Sequence, residues 1–329
     1  MNRDKKSLTV KKDVSLESFI FLFFFLLNKL LSKIMEPIYD LPGVSSIGIL
    51  TCYLSDNPAI LTLAKDDNFL RYFKIYQLPA ITNIGTSFGM GLIITTSMVG
   101  LNIPGSIKAA LIGNLGAIIG SIVSVRLMLQ FTKKLYGTEK YLKYDNGEEP
   151  ITNMRIVRPG SVGSRAIESM LAGGKVGVDM GLAVIPGVLV ICMVVLMLTY
   201  GPSESGTYTG AAYEGVGLLP YIGSKIGFIL KPIFGFSSPE SIAVPITALG
   251  SAGAAIGLIP KMAQSGLIGP NDVAVFTAMC MCWSGYLSTH IAMMDSLDFS
   301  ELIGKAIFSH TIGGLVAGIS ANILFNYIF

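Results

Sequence analysis

Ser55, Asp56, Asn57 and Pro58 stand together inside an otherwise apolar stretch, and they form the densest group in the chain able to hold a polar solute or a cation. Pro58 cannot continue a helix through the turn before it, and Ser, Asp and Asn are the residues that cap a new helix start. The group therefore predicts a broken helix whose second half opens toward a cavity at membrane depth. The plain alternative is a loop at a membrane face beside Lys65, Asp66 and Asp67. Upstream, Ser45 and Ser46 could offer hydroxyls at a helix break, as could Glu240 and Ser241 in the second half of the chain. Turn and cap duty is the competing role for all four. Asn83, Thr86 and Ser87 follow in one apolar run, and Trp283, Ser284 and His290 in another. The lone tryptophan falls in mid-span, where it is a candidate stacking platform for a flat ligand or a packing residue. Hydroxyls in such helices often only return to a carbonyl one turn back. His290 and His310 are candidates for proton transfer, ion ligation or solute contact, because ionisable groups inside a membrane are expensive to keep there. A zinc site of His290, Asp295 and His310 has no supporting ligand spacing.

The elements that must position these residues occur twice. Residues 33–48 read KIMEPIYDLPGVSSIG and residues 228–243 read FILKPIFGFSSPESIA, so that Pro37, Ile38 and Ser46 fall on Pro232, Ile233 and Ser241. Ser87 and Lys108 meet Ser284 and Lys305 in the same way. The repeat predicts a first copy over 17–131 and a second over 201–329, with a solute site between them. Apolar residues make up 51% of the 329, charged residues 14%, and the mean hydropathy is +0.62, which together indicate a membrane protein. Apolar runs place spans near 17–36, 41–63, 77–100, 106–131, 181–200, 213–233, 240–260, 272–294 and 302–327. Segments 41–63 and 240–260 either cross or re-enter, and crossing is the expectation. The fold expected is thus an all-α polytopic membrane protein of two inverted-topology repeats with about nine segments.

Basic residues concentrate in the tail 1–16, in 65–74 and in the connector 132–180, whereas 201–215 has none, so the N-terminus is expected in the cytoplasm. The first apolar run lacks a small-residue cleavage site and is read as a retained helix. Within the connector, 163–180 has the pattern of an interfacial amphipathic helix, ahead of a linking helix at 181–200. The four cysteines lie in apolar runs, and no Walker, G-x-S-x-G, H-E-x-x-H or Rossmann pattern occurs. The reading is of a chain that is not an enzyme, holds no cofactor or metal, and binds no nucleic acid.

The stretches RAIESMLAGGKVGVDMGLAVIPGVLVI and ILKPIFGFSSPESIAVPITALGSAGAA, with the partner KIMEPIYDLPGVSSIG, resemble the Gate, or nucleoside-recognition, domain of membrane proteins. The resemblance covers 165–329 directly and 33–131 through the repeat. It implies a transporter-like fold distantly related to concentrative nucleoside transporters, although the hairpin motifs glutamine-threonine-glutamate and asparagine-glutamate-phenylalanine of those transporters are absent. The expected activity is secondary transport of a small polar solute, a nucleoside or nucleobase being the candidate, by alternating access in a bacterial inner membrane. Na+ or H+ is the candidate coupling ion, and a homo-oligomer fits the family. The alternative is a non-transporting membrane scaffold or sensor, which the small, uncharged stretch LGSAGAA opposite Ser55–Pro58 keeps open.

Overall fold

The computed structural model describes residues 31–64, 67–70, 72–141, 161–203, 205–211 and 214–328. The expectations for the tail 1–16, the opening of the first apolar run and the polar part of the connector, 142–160, lie outside them. The described chain is 76% helical, with no strand among the described residues, and is therefore all-α. Helix α1 is described over 31–39. Next come α2 (Ser45–Leu54), α3 (Ala59–Ala64), α4 (Asp67–Leu70), α5 (Ala80–Thr86), α6 (Gly91–Val99), α7 (Ser106–Tyr136) and α8 (Val162–Thr199). The second half contains α9 (Leu218–Phe234), α10 (Ala243–Gly250), α11 (Ala252–Gln264), α12 (Pro270–Cys282), α13 (Tyr286–Ser296) and α14 (Ile303–Ile328). Among the described residues three helical stretches, Ile75–Val99, Ser106–Tyr136 and Ser300–Ile328, are long and apolar enough to cross a membrane.

The centre of the molecule is the crossing of α7 and α14. On α7, Gly113, Gly116, Gly120, Ser121 and Ser124 recur at helical spacing and are buried, whereas Ile107, Leu111, Leu115 and Ile118 on the other side are exposed. Small residues let two backbones approach, and the large apolar ones suit contact with lipid. A methyl built on Gly116 would stand 2.7 Å from the Ala317 carbonyl oxygen, and one on Gly120 would meet Gly313 and Ala317. Ser124 packs on Gly313, and further along the Tyr136 hydroxyl donates to Glu301 at 2.9 Å. Rising numbers in α7 meet falling numbers in α14, so the two helices run antiparallel.

Two short helix pairs enter this core from opposite ends. The chain leaves α1 through Asp40, whose φ of 58° ends the helix, passes along α2 and α3, and returns to its starting point. There the Gln77 amide donates to the Asp40 carbonyl at 2.8 Å, the Tyr76 hydroxyl donates to the Asp40 carboxylate at 3.3 Å, and Lys133 forms an ion pair with that carboxylate. In the second half the chain leaves α9 through Gly235, with φ of 67°, runs along α10 and α11, and returns to Asn271. The Asn271 amide donates to the carbonyls of Phe234 and Gly235 at 2.9 and 3.0 Å. Segments 41–63 and 240–260 therefore double back, where crossing was expected. Each contains two half-length helices, and their combined apolar length equals that of one full span.

Fastenings of this kind occur in both halves of the chain. Asp40 and Gly235 are the left-handed residues ending α1 and α9 (235 − 40 = 195), and Met90 and Gly285 are those preceding α6 and α13 (285 − 90 = 195). The exposed carbonyls at the end of α1, Pro37 and Ile38, accept from Arg126 of α7, as Ile233 at the end of α9 accepts from Asn322 of α14. Connector residue Lys140 receives the Ile75 amide at 2.9 Å. The expected interfacial helix 163–180 and linking helix 181–200 are continuous in α8, with Pro186 inside it. The Met197 carbonyl in its last turn and the Tyr200 carbonyl just past its end accept from Val216 and Gly217, just before α9.

Candidate functional site

Both hairpins break at the level where α7 crosses α14. In the first, α2 stops at Leu54, where the Ser55 hydroxyl turns back to the Thr51 carbonyl at 2.6 Å, and α3 starts at Ala59. Ser55 and Asp56 are exposed, and an Asp56 carboxylate oxygen accepts the Asn57 amide at 2.7 Å. Asn57 is fully buried and points the other way, its side-chain nitrogen donating to the Ser284 carbonyl. That contact joins the tip of the first hairpin to the second half of the chain, 227 residues away. Gly89 faces the Asn57 side-chain oxygen so closely that any β-carbon there would overlap it. In the second hairpin the break falls at Ser251, whose hydroxyl oxygen caps α11 by accepting the Ala254 amide at 3.3 Å.

Two further breaks meet these tips. The run from α5 to α6 is interrupted at 87–90 and the run from α12 to α13 at 283–285, each by a left-handed residue. Thr86 and Ser87 are fully buried, but their hydroxyls return to the carbonyls of Thr82 and Asn83 at 2.7 and 2.8 Å. Asn83 reaches out of its own helix and donates to the Ser124 hydroxyl oxygen at 3.0 Å and to the Ala306 carbonyl at 3.2 Å. Ser124 lies 2.9 Å from His310 Nδ1, and His310 Nε2 lies 2.5 Å from the Cys282 carbonyl. The carbonyl can only accept, so Nε2 carries the proton; Nδ1 then accepts from Ser124, and Ser124 accepts from Asn83. One directed chain thus ties α5, α7, α14 and α12.

His290, also fully buried, lies beside it with ring centroids 4.7 Å apart. Its Nδ1 donates to the Tyr286 carbonyl at 3.1 Å, and its Nε2 has no hydrogen-bond partner among the described residues. Trp283 stacks on Tyr286 at 6.3 Å, and Tyr286 meets His290 at right angles at 5.6 Å. The Trp283 ring nitrogen and the Asn57 side-chain oxygen are likewise buried and without a partner among the described residues. Such bare groups are uncommon, because each carries a desolvation cost of about 1–3 kcal/mol that a hydrogen bond would offset.

The structure thus brings Asn57, Asn83, Thr86, Ser87, Trp283, Ser284 and His290 to one level, all of them buried. Ser45 lies buried at the start of α2, its hydroxyl without a partner among the described residues, and Ser46 is spent on the Gly43 carbonyl at 2.6 Å. Glu240 is exposed in the turn 239–242. Its neighbour Ser241 donates at 2.9 Å to Asp272, a fully buried carboxylate not singled out from the sequence. Asp272 also accepts from the Ser237 hydroxyl at 2.5 Å and from the amides of Ser237 and Gly269 at 3.1 and 2.9 Å, which fastens the base of the second hairpin. Asp295 is exposed and accepts from Ser300 at 2.8 Å, so it does not converge with the two histidines. No group of three His, Cys, Asp or Glu side chains suited to a metal ion occurs among the described residues.

A cleft of about 680 Å³ opens at the end of the molecule where the second hairpin is rooted, between 97–104 and 260–270. Asn102 and Gln264 are among its polar lining residues, and no charged side chain lines it. No family model, curated protein or solved structure matches the chain.

Proposed function

We propose that the chain is a membrane transporter in which a small polar solute binds between two inverted copies of one unit and is released by alternating access. The observation that carries this reading is the meeting of the two hairpin tips with the breaks at 87–90 and 283–285, around buried polar atoms that lack partners among the described residues. Broken helices at mid-depth are how transporters present backbone and side-chain groups to a ligand. The antiparallel packing of α7 on α14 supports the inversion. The nine apolar segments then divide into five crossings (α5 with α6, α7, α8, α12 with α13, and α14), two re-entrant hairpins, and the surface helices α1 and α9. Lys74, Lys133, Lys134 and Lys140 lie at the end where the first hairpin is rooted, which makes that end cytoplasmic. In this reading the membrane is a bacterial inner membrane.

Trp283 on Tyr286 supplies a flat platform, while the Trp283 ring N–H, the Asn57 oxygen and His290 Nε2 supply one donor and two acceptors. A nucleobase or nucleoside has complementary edges, in keeping with the Gate-domain resemblance. A rival reading, a scaffold or sensor that moves no solute, is favoured by the close packing of Gly116 and Gly120 against α14. Melting the purified protein against nucleosides, nucleobases and small metabolites separates the two. A transporter is stabilised by one chemical class, by about 2.7 kcal/mol at one hundred times its Kd; a scaffold gives a flat response.

A further inference from the structure

We infer that His290 and His310 together hold a single proton, taken up at His290 Nε2, and that this proton is the coupling ion; the coupling, but not the proton site, rests on the transport reading above.

The two rings are unequally prepared for a proton. His310 has both nitrogens engaged, Nε2–H donating to the Cys282 carbonyl and Nδ1 accepting from Ser124. His290 spends Nδ1–H on the Tyr286 carbonyl and leaves the Nε2 lone pair bare at full burial. A proton arriving at Nε2 creates a donor with no acceptor in this arrangement. It is therefore held poorly here and well in any arrangement that brings water or a carbonyl to that nitrogen. By linkage, a proton that prefers the second arrangement draws the protein toward it. A second proton on His310 is opposed by a like charge one ring away, so the pair takes one.

The elements around His290 bring little else that titrates. Tyr286 faces both rings, the Cys282 thiol turns instead to the Ser87 and Ala117 carbonyls, α5 and α10 contribute no ionisable residue, Lys305 of α14 is half-exposed, and the charged groups of α8 (Arg165, Glu168, Lys175 and Asp179) are exposed or half-exposed. Asp295 and Glu301, toward the far end of α13, are exposed and engaged with Ser300 and Tyr136. Asp272, the one fully buried carboxylate among the described residues, has its oxygens occupied at the base of the second hairpin. An imidazole lone pair in these surroundings selects a proton over an alkali ion, which takes oxygen ligands.

The chain has two histidines, so histidine-selective 15N labelling in nanodiscs gives two imidazoles, already told apart by tautomer: Nδ1–H for His290 and Nε2–H for His310. His290→Gln and His310→Gln, which keep a polar amide, check the assignment. Expected is a single titration step at His290 while His310 stays neutral. With it, a Ser87→Cys thiol at the core becomes about tenfold or more faster to label, and His290→Gln abolishes that acceleration. Two fast-exchanging tautomers at high pH, no step at His290 within the folded range, or a step that leaves labelling unchanged overturns the proposal. A protein that passes but is stabilised by no solute retains the proton site and loses the transporter. One that is stabilised by a solute but fails here retains the transporter and takes its coupling ion elsewhere.

Discussion

Asn57 joins the two halves of the chain by one hydrogen bond, and its neighbour Asp56 makes no such link. Substituting Asn57 by Ala leaves the Ser284 carbonyl bare in the core, which costs about 1–3 kcal/mol and lowers the melting temperature in detergent. Asn57→Asp is worse, because it sets a carboxylate against that carbonyl. Asp56→Ala is the complementary change: with its carboxylate exposed and outside the buried level, it leaves melting within about 0.5 kcal/mol and, on the transport reading, leaves solute uptake in place. Loss of uptake in a folded Asp56→Ala protein would instead bring Asp56 into the solute path. Glu214, in the loop before α9, is held below its usual carboxylate range by the Thr209 hydroxyl, with the amides of Thr209 and Gly210 adding to it. A depressed folded value means that this contribution is present at neutral pH and is lost as pH falls below the ordinary value of 4.5. The protection of the Thr209 and Gly210 amides against exchange, taken relative to the intrinsic rate at each pH, should drop only in that acid range.

The α7–α14 crossing depends on the absence of side chains, so adding a side chain has opposite effects at different glycines. Gly120→Val drives a branched side chain into Gly313 and Ala317 and should destabilise by at least the 1–3 kcal/mol or so of an overpacked core. Gly257→Ala in α11 and Gly304→Ala in α14 meet nothing within 4 Å and should gain up to about 1 kcal/mol from helix propensity; thermal melts decide both. The hairpins make a topological prediction. Reporter cysteines at Glu36 and Lys74, flanking the first hairpin, should label from one side of the membrane, and those at Ser237 and Ser265, flanking the second, from the other. Flanks of one hairpin on opposite sides would restore a crossing segment. The helix break at Asn57 is readable from the sequence because proline and capping residues act within one turn. Re-entry is not, because it depends on Gln77 reaching Asp40, a contact between elements. Asp272 escaped notice for the same reason: its serine partners lie 31 and 35 residues upstream.

At the scale of the whole molecule, both halves of the chain are fastened at helix ends and hairpin bases, and by unlike residues. Arg126 and Asn322 hold the ends of α1 and α9, and Gln77 and Asn271 close the two hairpins. On the two-copy reading, a repeat is legible in the sequence where residues match, as at Pro37 and Pro232, and illegible where only their role matches. The chain Asn83, Ser124, His310 and Cys282 was beyond sequence reasoning, since Ser124 and His310 lie 186 residues apart. All of these groups are buried in the state described, whereas an alternating-access protein must expose this level to each side in turn. The direct measurement is the reaction of a Ser87→Cys thiol, in a background without the four native cysteines, with a membrane-impermeant reagent added to one face of proteoliposomes at a time. Labelling from both faces, with the balance between them shifted by the stabilising solute or by pH, is the predicted result. A thiol that stays unreactive from both faces in the folded protein, with and without solute, would contradict the transport account and leave a dry, glycine-packed scaffold.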